Sequence, residues 1–230
     1  PENYASLDLV FALVIYSTYI FTDFSGYTDL ANAVSLLFGF KKAENFNGPY
    51  GSKSFIEFWR RWHITLSTWF RDYLYIPIGG DGRNSRFKKL TGYRNILVVM
   101  LVSGIWHGAG IGFVIWGFVH GLGLIVSGIL KKSFKPITDN LQKPLKTVLD
   151  FGLMLITFSF ISLLWIFFAN ENITETGRFL NELFKFNNFP FQLVSNYILL
   201  GIVILILLQN IFHTKISSFF YTTFSKSNPV

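Results

Sequence analysis

The chain has 230 residues, of which 51% are hydrophobic, 19% aromatic and only 14% charged, with a formal net charge of +7. Soluble domains carry about 25% charged residues, whereas apolar runs of 16 to 23 residues recur here, as a bilayer with roughly 30 Å of hydrocarbon requires. The composition therefore excludes a soluble domain with a large core, and the lack of cysteine excludes disulfides, thiolate zinc sites and an acyl-cysteine intermediate.

The chain starts at Pro1 with no basic stretch ahead of its first apolar run, so no signal peptide is visible. A start almost directly into a span suggests that further chain precedes it. Residues 7–22 form the first expected span, where length decides for a helix over a strand. Asp23-Phe24-Ser25-Gly26-Tyr27-Thr28-Asp29 then interrupts the apolar character. Ser25 or Thr28 is a candidate cap for a second, shorter helix over 29–40 that ends at Gly39.

Residues 45–52 form a turn cluster rich in Asn, Gly and Pro. The pattern over 54–76 predicts an amphipathic helix: Phe55, Trp59, Trp62, Leu66, Trp69 and Phe70 share a stripe, with Arg60, Arg61, Thr68 and Arg71 opposite. His63 and Ser67 lie near the seam. A Trp/Arg helix of this kind ordinarily lies in the interface plane. Pro77 and Gly79-Gly80-Asp81-Gly82 end it, and a basic loop follows over 83–94.

Spans are expected at 95–111 and 113–130, joined almost without a polar loop at Gly108-Ala109-Gly110-Ile111-Gly112. Gly104, Gly108 and Gly112 repeat every four residues, as do Gly117 and Gly121. Such ridges let helix backbones approach closely in lipid. His107 follows Arg94 by 13 residues, roughly 20 Å of helix, which puts it beyond the bilayer middle or at the tip of a re-entrant pair. Further spans at 147–169 and 192–212 read as scaffold.

Charge follows this segmentation. Residues 41–94 hold 11 Lys/Arg, 131–146 hold 5 and the tail from His213 holds 2, while 170–191 hold the remaining 2. Alternate loops thus differ 18 to 2, a positive-inside signal that places 41–94, 131–146 and the C-terminus in the cytoplasm. The excess charge reads as topology with anionic lipid as partner, not as nucleic-acid binding. The fold class expected is all-α: a polytopic transmembrane helical protein with an interfacial amphipathic helix and a re-entrant hairpin.

Ionisable groups within spans are functional candidates by default, and His107 is the strongest. A neutral imidazole with a free nitrogen accepts a proton from a hydroxyl, and Gly104, Gly108, Ala109 and Gly110 leave room beside it. The simpler alternative is one interhelical hydrogen bond. His63 is a candidate for orienting a group or for staying protonated beside a thioester or phosphate, or else a plain interfacial histidine. His120 reads as a packing or hydrogen-bonding residue and His213 as solvated. No HExxH motif or histidine pair at helical spacing is present, so no metal site is expected. Arg60, Arg61 and Arg71 suit the phosphates of a carrier or coenzyme, although the positive-inside pattern explains them equally well.

Five strings occur in one order: Asp23 to Asp29, Asn45-Phe46-Asn47-Gly48-Pro49-Tyr50, Phe58 to Ser67, Arg71 to Gly80, and Trp106-His107-Gly108-Ala109. Together they resemble the membrane-bound O-acyltransferase family, in its bacterial branch of alginate and related polysaccharide or peptidoglycan O-acetyltransferases. The D-alanyl transfer protein of teichoic acid synthesis is a more distant relative. Family members extend further at the N-terminus, so the resemblance implies that 1–230 is the C-terminal part of a single membrane domain. It also implies a multi-pass protein of the bacterial inner membrane. The family's invariant histidine falls on His107, implying the base that takes the acceptor's proton, and its second characteristic histidine falls on His63, implying donor positioning or support. The implied donor is acetyl-CoA or another acyl thioester, bound as substrate, with no tightly held cofactor. The implied acceptor is an extracytoplasmic polysaccharide, or a periplasmic or extracellular acyltransferase partner. A transporter or non-catalytic subunit of a polymer-export system is the competing expectation, weakened by the lack of intramembrane acids for proton coupling.

Overall fold

The computed structural model describes residues 4–82, 86–170, 172–185 and 196–212. His213 and residues 192–195 lie outside them, so the expectations for that histidine and for the start of the last span are not addressed. The described residues form helices without strands: α1 (Ser6–Leu37), α2 (Phe55–Arg61), α3 (Ile64–Phe70), α4 (Lys88–His107), α5 (Ile111–Asp139), α6 (Lys143–Leu164), α7 (Ile166–Ala169), α8 (Ile173–Phe184) and α9 (Tyr197–Ile211). Three stretches are long and apolar enough to cross a bilayer: α1, α5 and the α6–α7 run to Ala169.

The expected break at Asp23–Asp29 does not exist, because α1 runs unbroken to Leu37. The polar residues do not interrupt it since their hydroxyls bond backward into their own helix. Ser25 Oγ reaches Thr22 O and Thr28 Oγ1 reaches Phe24 O, as Ser17 and Thr18 do a turn or two earlier. Backbone and hydroxyl groups thus satisfy one another within the helix. Gly39 does mark the end. It adopts φ +78°, and its N–H reaches Leu36 O while that of Phe40 reaches Ser35 O, the paired bonds of a Schellman terminus.

The helix expected over 54–76 is likewise corrected. It is split into α2 and α3 at Trp62–His63, and continues as one wide π-helical stretch over Arg71–Tyr75. The six-residue apolar stripe is therefore not one face. Trp62 and Phe70 are core residues, whereas Trp69 between them is 52% exposed. The next two expected spans are helices with other bounds, and of the two only α5 is among the stretches long and apolar enough to cross a bilayer. α4 begins at Lys88 rather than 95, and α5 carries on through Lys131, Lys132 and Lys135 to Asp139 with Pro136 inside it.

The α4–α5 hairpin is built on glycine. A Cβ added at Gly104 would lie 2.2 Å from Phe113 O, and one at Gly117 would lie 2.3 Å from Met100 O. Only glycine lets the two backbones touch this way. Further down α5, a Cβ at Gly123 would meet the Phe55 ring at 2.5 Å, so another face of the same helix receives α2. Around this joint an aromatic core forms from Phe21, Tyr50, Phe58, Trp62, Trp116, Ile161, Leu164 and Trp165. At the base of α4 the fully buried Asn95 amide donates to Ile78 O and Gly80 O and accepts from Arg94. This pins the glycine turn to the helix.

Two ends are distinguishable. The tip at Gly108–Gly110 lies with α7 and the start of α1 lies with α8, through Gly112 against Phe167 and Ser6 against Glu182. Lys53 pairs with Asp150 at 2.6 Å, near the α5–α6 connection. The segments with few basic residues thus gather at one end and basic segments at the other, in keeping with the charge asymmetry.

Two outcomes test this architecture. Gly117→Ala should destabilise the hairpin by about 1–3 kcal/mol, the usual cost of overpacking, whereas Gly152→Ala, with nothing within 4 Å of its Cβ, should be near neutral. Thermal unfolding in detergent measures both. Accessibility labels at Gln142 and Asn172 should report opposite sides of the membrane.

Candidate active site

His107 is the last residue of α4, at the tip of the hairpin as the spacing predicted. Its ring sits among Trp106, Phe113, Trp116 and Phe168, with centroid separations from 4.9 to 6.3 Å. Among the described residues no group hydrogen-bonds the ring. The simpler expectation of an interhelical hydrogen bond is thus not met there, and the imidazole is placed by shape. Four aromatic walls flank it, and no described group engages its nitrogens.

His63 is held in the opposite manner, by polar contacts. It is the residue between α2 and α3, and it adopts φ +43°, a left-handed conformation that costs a residue with a Cβ about 1–3 kcal/mol. The stretch Asn45–Asn47 keeps it there. Ile64 N–H donates to Asn45 O at 2.9 Å and Asn47 N–H donates to Arg61 O at 3.0 Å. The two backbones are stitched on either side of the break. The Asn45 side chain adds a contact at 3.0 Å between its Oδ1 and His63 Nδ1. The ring also meets Phe24 of α1 edge-on at 4.7 Å between centroids.

α2 and α3 have seven residues each, too few to cross a bilayer, so His63 belongs to none of the spans. Burial, and after it the electrostatic influence of His107, push its pKa down to about 4. The two candidate histidines, 44 positions apart in sequence, are therefore electrostatic neighbours in space. A pKa so lowered favours the neutral imidazole at physiological pH, which corrects the expectation of a protonated His63 beside a thioester or phosphate.

His120 follows its expected structural role. It is fully buried, and its Nδ1 accepts from Trp59 Nε1 at 3.2 Å. Its ring lies 4.5 Å from Trp116, which in turn walls His107. Sequence reasoning passed over Asn45, Thr28 and Phe24 as site residues. Asn45 stood inside a string read only as a turn, and an asparagine in an Asn/Gly/Pro cluster gives no sign of which distant ring it meets.

Residues of α2–α3 and α4–α5 line a half-open cavity of about 710 Å³, which neither histidine lines. Ile64 and Ser103 line it close to the histidines, Ile56, Val99 and Leu124 give it an apolar body, and Arg60 and Arg71 also contribute to its wall. Arg71 is paired with Asp72 at 2.7 Å. Among the described residues no cluster of three or more His, Cys, Asp or Glu is placed to hold a metal ion.

The depressed pKa of His63 has a direct consequence for stability. An unfolded histidine takes its proton near pH 6.5, and the folded one only near 4. Protonation therefore favours the unfolded chain as pH falls through that window, and this part of the stability is lost from about pH 6.5 downward. Unfolding midpoints followed from pH 7.5 to 4.5 should fall less steeply in His63→Gln than in the unmutated protein.

A sequence profile described as MBOAT, membrane-bound O-acyltransferase family, matches residues 5–170. The chain is similar to the probable alginate O-acetylase AlgI of Pseudomonas aeruginosa, 39% identical over 87% of this chain and 36% of the relative. It is also similar to the peptidoglycan O-acetyltransferase of Helicobacter pylori, 41% identical over 75% of this chain and 31% of that protein. The teichoic acid D-alanyltransferase of Bacillus subtilis is 39% identical over 46% of this chain and 28% of its own length. The chain thus spans about a third of the length of the curated relatives it matches. The match crosses α1 to α7 and includes the broken helix, the hairpin and both histidines. This chain is a membrane protein and belongs to the membrane-bound O-acyltransferase family.

Proposed function

We propose that the chain supplies the reaction centre of an O-acyltransferase that moves an acetyl group from a thioester donor to a hydroxyl of an extracytoplasmic polysaccharide. The observation that carries this reading is that His107, boxed by aromatic rings, and His63, at the break between α2 and α3, lie near enough to influence each other electrostatically. A histidine whose nitrogens are unengaged by the protein suits general-base work, since it can take the hydroxyl proton as oxygen attacks the thioester carbonyl. The thiolate then leaves, and the imidazolium of His107 returns the proton to it. Atoms and charge balance without a covalent enzyme intermediate, in keeping with a chain that has no cysteine.

The cavity between α2–α3 and α4–α5 supports the donor side. Its apolar body suits an acyl-thioester arm, and Arg60 offers a cation to a phosphate of a coenzyme or carrier. The acceptor would approach from the end where the hairpin tip, α7 and α8 gather, which the charge asymmetry puts outside the cytoplasm. The names of the relatives favour a cell-envelope polymer as acceptor, reached directly or through an extracytoplasmic acyltransferase partner, with the protein in the bacterial inner membrane.

The test is His107→Ala in the full-length protein, supplied with labelled acetyl-coenzyme A and scored for transfer to envelope polysaccharide. Transfer should fall by roughly 10²–10⁴-fold, the usual loss on removing a general base, while membrane insertion is unchanged. Activity within a few-fold of the unmutated protein would overturn the reading. A carrier or export subunit would move polymer or protons without consuming the thioester.

A further inference from the structure

The Asn45 side chain is nearly fully buried, and its contacts fix its orientation. Its Oδ1 accepts from the Thr65 backbone N–H at 3.3 Å and from Thr65 Oγ1 at 2.8 Å. A backbone N–H can only donate, so the atom facing it must be the amide oxygen and not the nitrogen. On the other side, Nδ2 donates to Thr28 Oγ1 at 3.4 Å, and that hydroxyl is itself committed as a donor to Phe24 O at 2.9 Å. Both ends of the amide agree on one orientation.

The same oxygen faces His63 Nδ1 at 3.0 Å. An amide oxygen has no proton to give, so Nδ1 must carry the hydrogen. In a neutral imidazole the other nitrogen, Nε2, is then the lone-pair acceptor. Neutrality is supported independently by the burial of the ring and its neighbour His107. We propose that Asn45 is a positioning residue for the transfer reaction: it holds His63 as the Nδ1–H tautomer and so presents Nε2 as a proton acceptor in the reaction centre. The role in transfer rests on the function proposed above; the tautomer assignment does not.

This gives the Asp23–Asp29 string a place in the site. Thr28 receives the Asn45 amide and anchors it to α1, so the orientation of the His63 ring is set through Thr28 and Asn45 by a helix that does not carry it. His63 also becomes more than a donor-side support, since its free nitrogen can accept a hydrogen bond from the attacking hydroxyl or share the proton that His107 takes. A merely structural Asn45 would stabilise the break between α2 and α3 without setting which nitrogen is protonated.

The experiment is nitrogen NMR of the full-length protein reconstituted in lipid with ¹⁵N-labelled histidine, with the His63 signals assigned by their loss in His63→Gln. At pH 7 the expected spectrum shows protonated Nδ1 and unprotonated Nε2 at His63. The reverse pattern in the unmutated protein overturns the proposal, whatever any variant does. Asn45→Asp keeps the acceptor, so it should keep the tautomer; its carboxylate favours imidazolium, which should move the acid limb of the pH–rate profile upward. Asn45→Leu removes the acceptor and should lose the Nδ1–H preference, with kcat for acetyl-coenzyme A lowered roughly 10²-fold and KM changed less than about twofold. Loss of activity with an unchanged tautomer in Asn45→Leu would also overturn the proposal. If the tautomer is as assigned but transfer does not depend on His107, the acyl-transfer reading fails and the positioning of His63 stands.

Discussion

The contact between the backbones of Gly104 and Gly117 is the constraint on which most of the molecule depends. Helices in lipid gain little from hydrophobicity and must associate by close packing, and here the packing is backbone against backbone. That proximity lets Phe113 and Trp116 of α5 reach across to His107 at the end of α4. It also sets α5 where Gly123 can take the Phe55 ring and His120 can take the Trp59 indole. A larger side chain at either glycine would separate the hairpin, and with it the aromatic box and the seat of α2.

The two histidines exemplify two ways of placing an imidazole. Among the described residues His107 is oriented by ring walls, with no hydrogen bond to its ring. His63 is oriented by a hydrogen bond and a strained backbone, which fixes its protonation as well as its position. Strain at a residue such as His63 persists only where the surroundings over-determine it. The paired backbone bonds from Asn45 and Asn47 supply that excess.

Much of this was legible in the sequence, and the failures share a cause. The helical class, the hairpin, the turn at 45–52 and the place of His107 follow from apolar length and glycine spacing, which are local signals. The errors at Asp23–Asp29 and at Trp62–His63 arose where local polarity was taken to decide. In α1, hydroxyls that look like helix breakers are satisfied by carbonyls a turn away. In the 54–76 stretch, Asn45 and Asn47, distant in register, open the chain between two short helices. No periodic pattern carries a partner brought in from 18 positions away. The Asn45–His63 contact is for the same reason invisible before folding.

The pairing of Trp59 with His120 has a consequence for how the protein is made. The two residues are 61 positions apart, so a ribosome adding about 5–20 residues per second delivers Trp59 some ~3–12 s before its partner. During that interval α2 has neither the glycine face of α5 nor the indole acceptor, only its own aromatic residues and arginines. A segment of that composition rests at the lipid–water boundary. The enclosure of Trp59 by the aromatic core therefore waits on the later arrival of the hairpin.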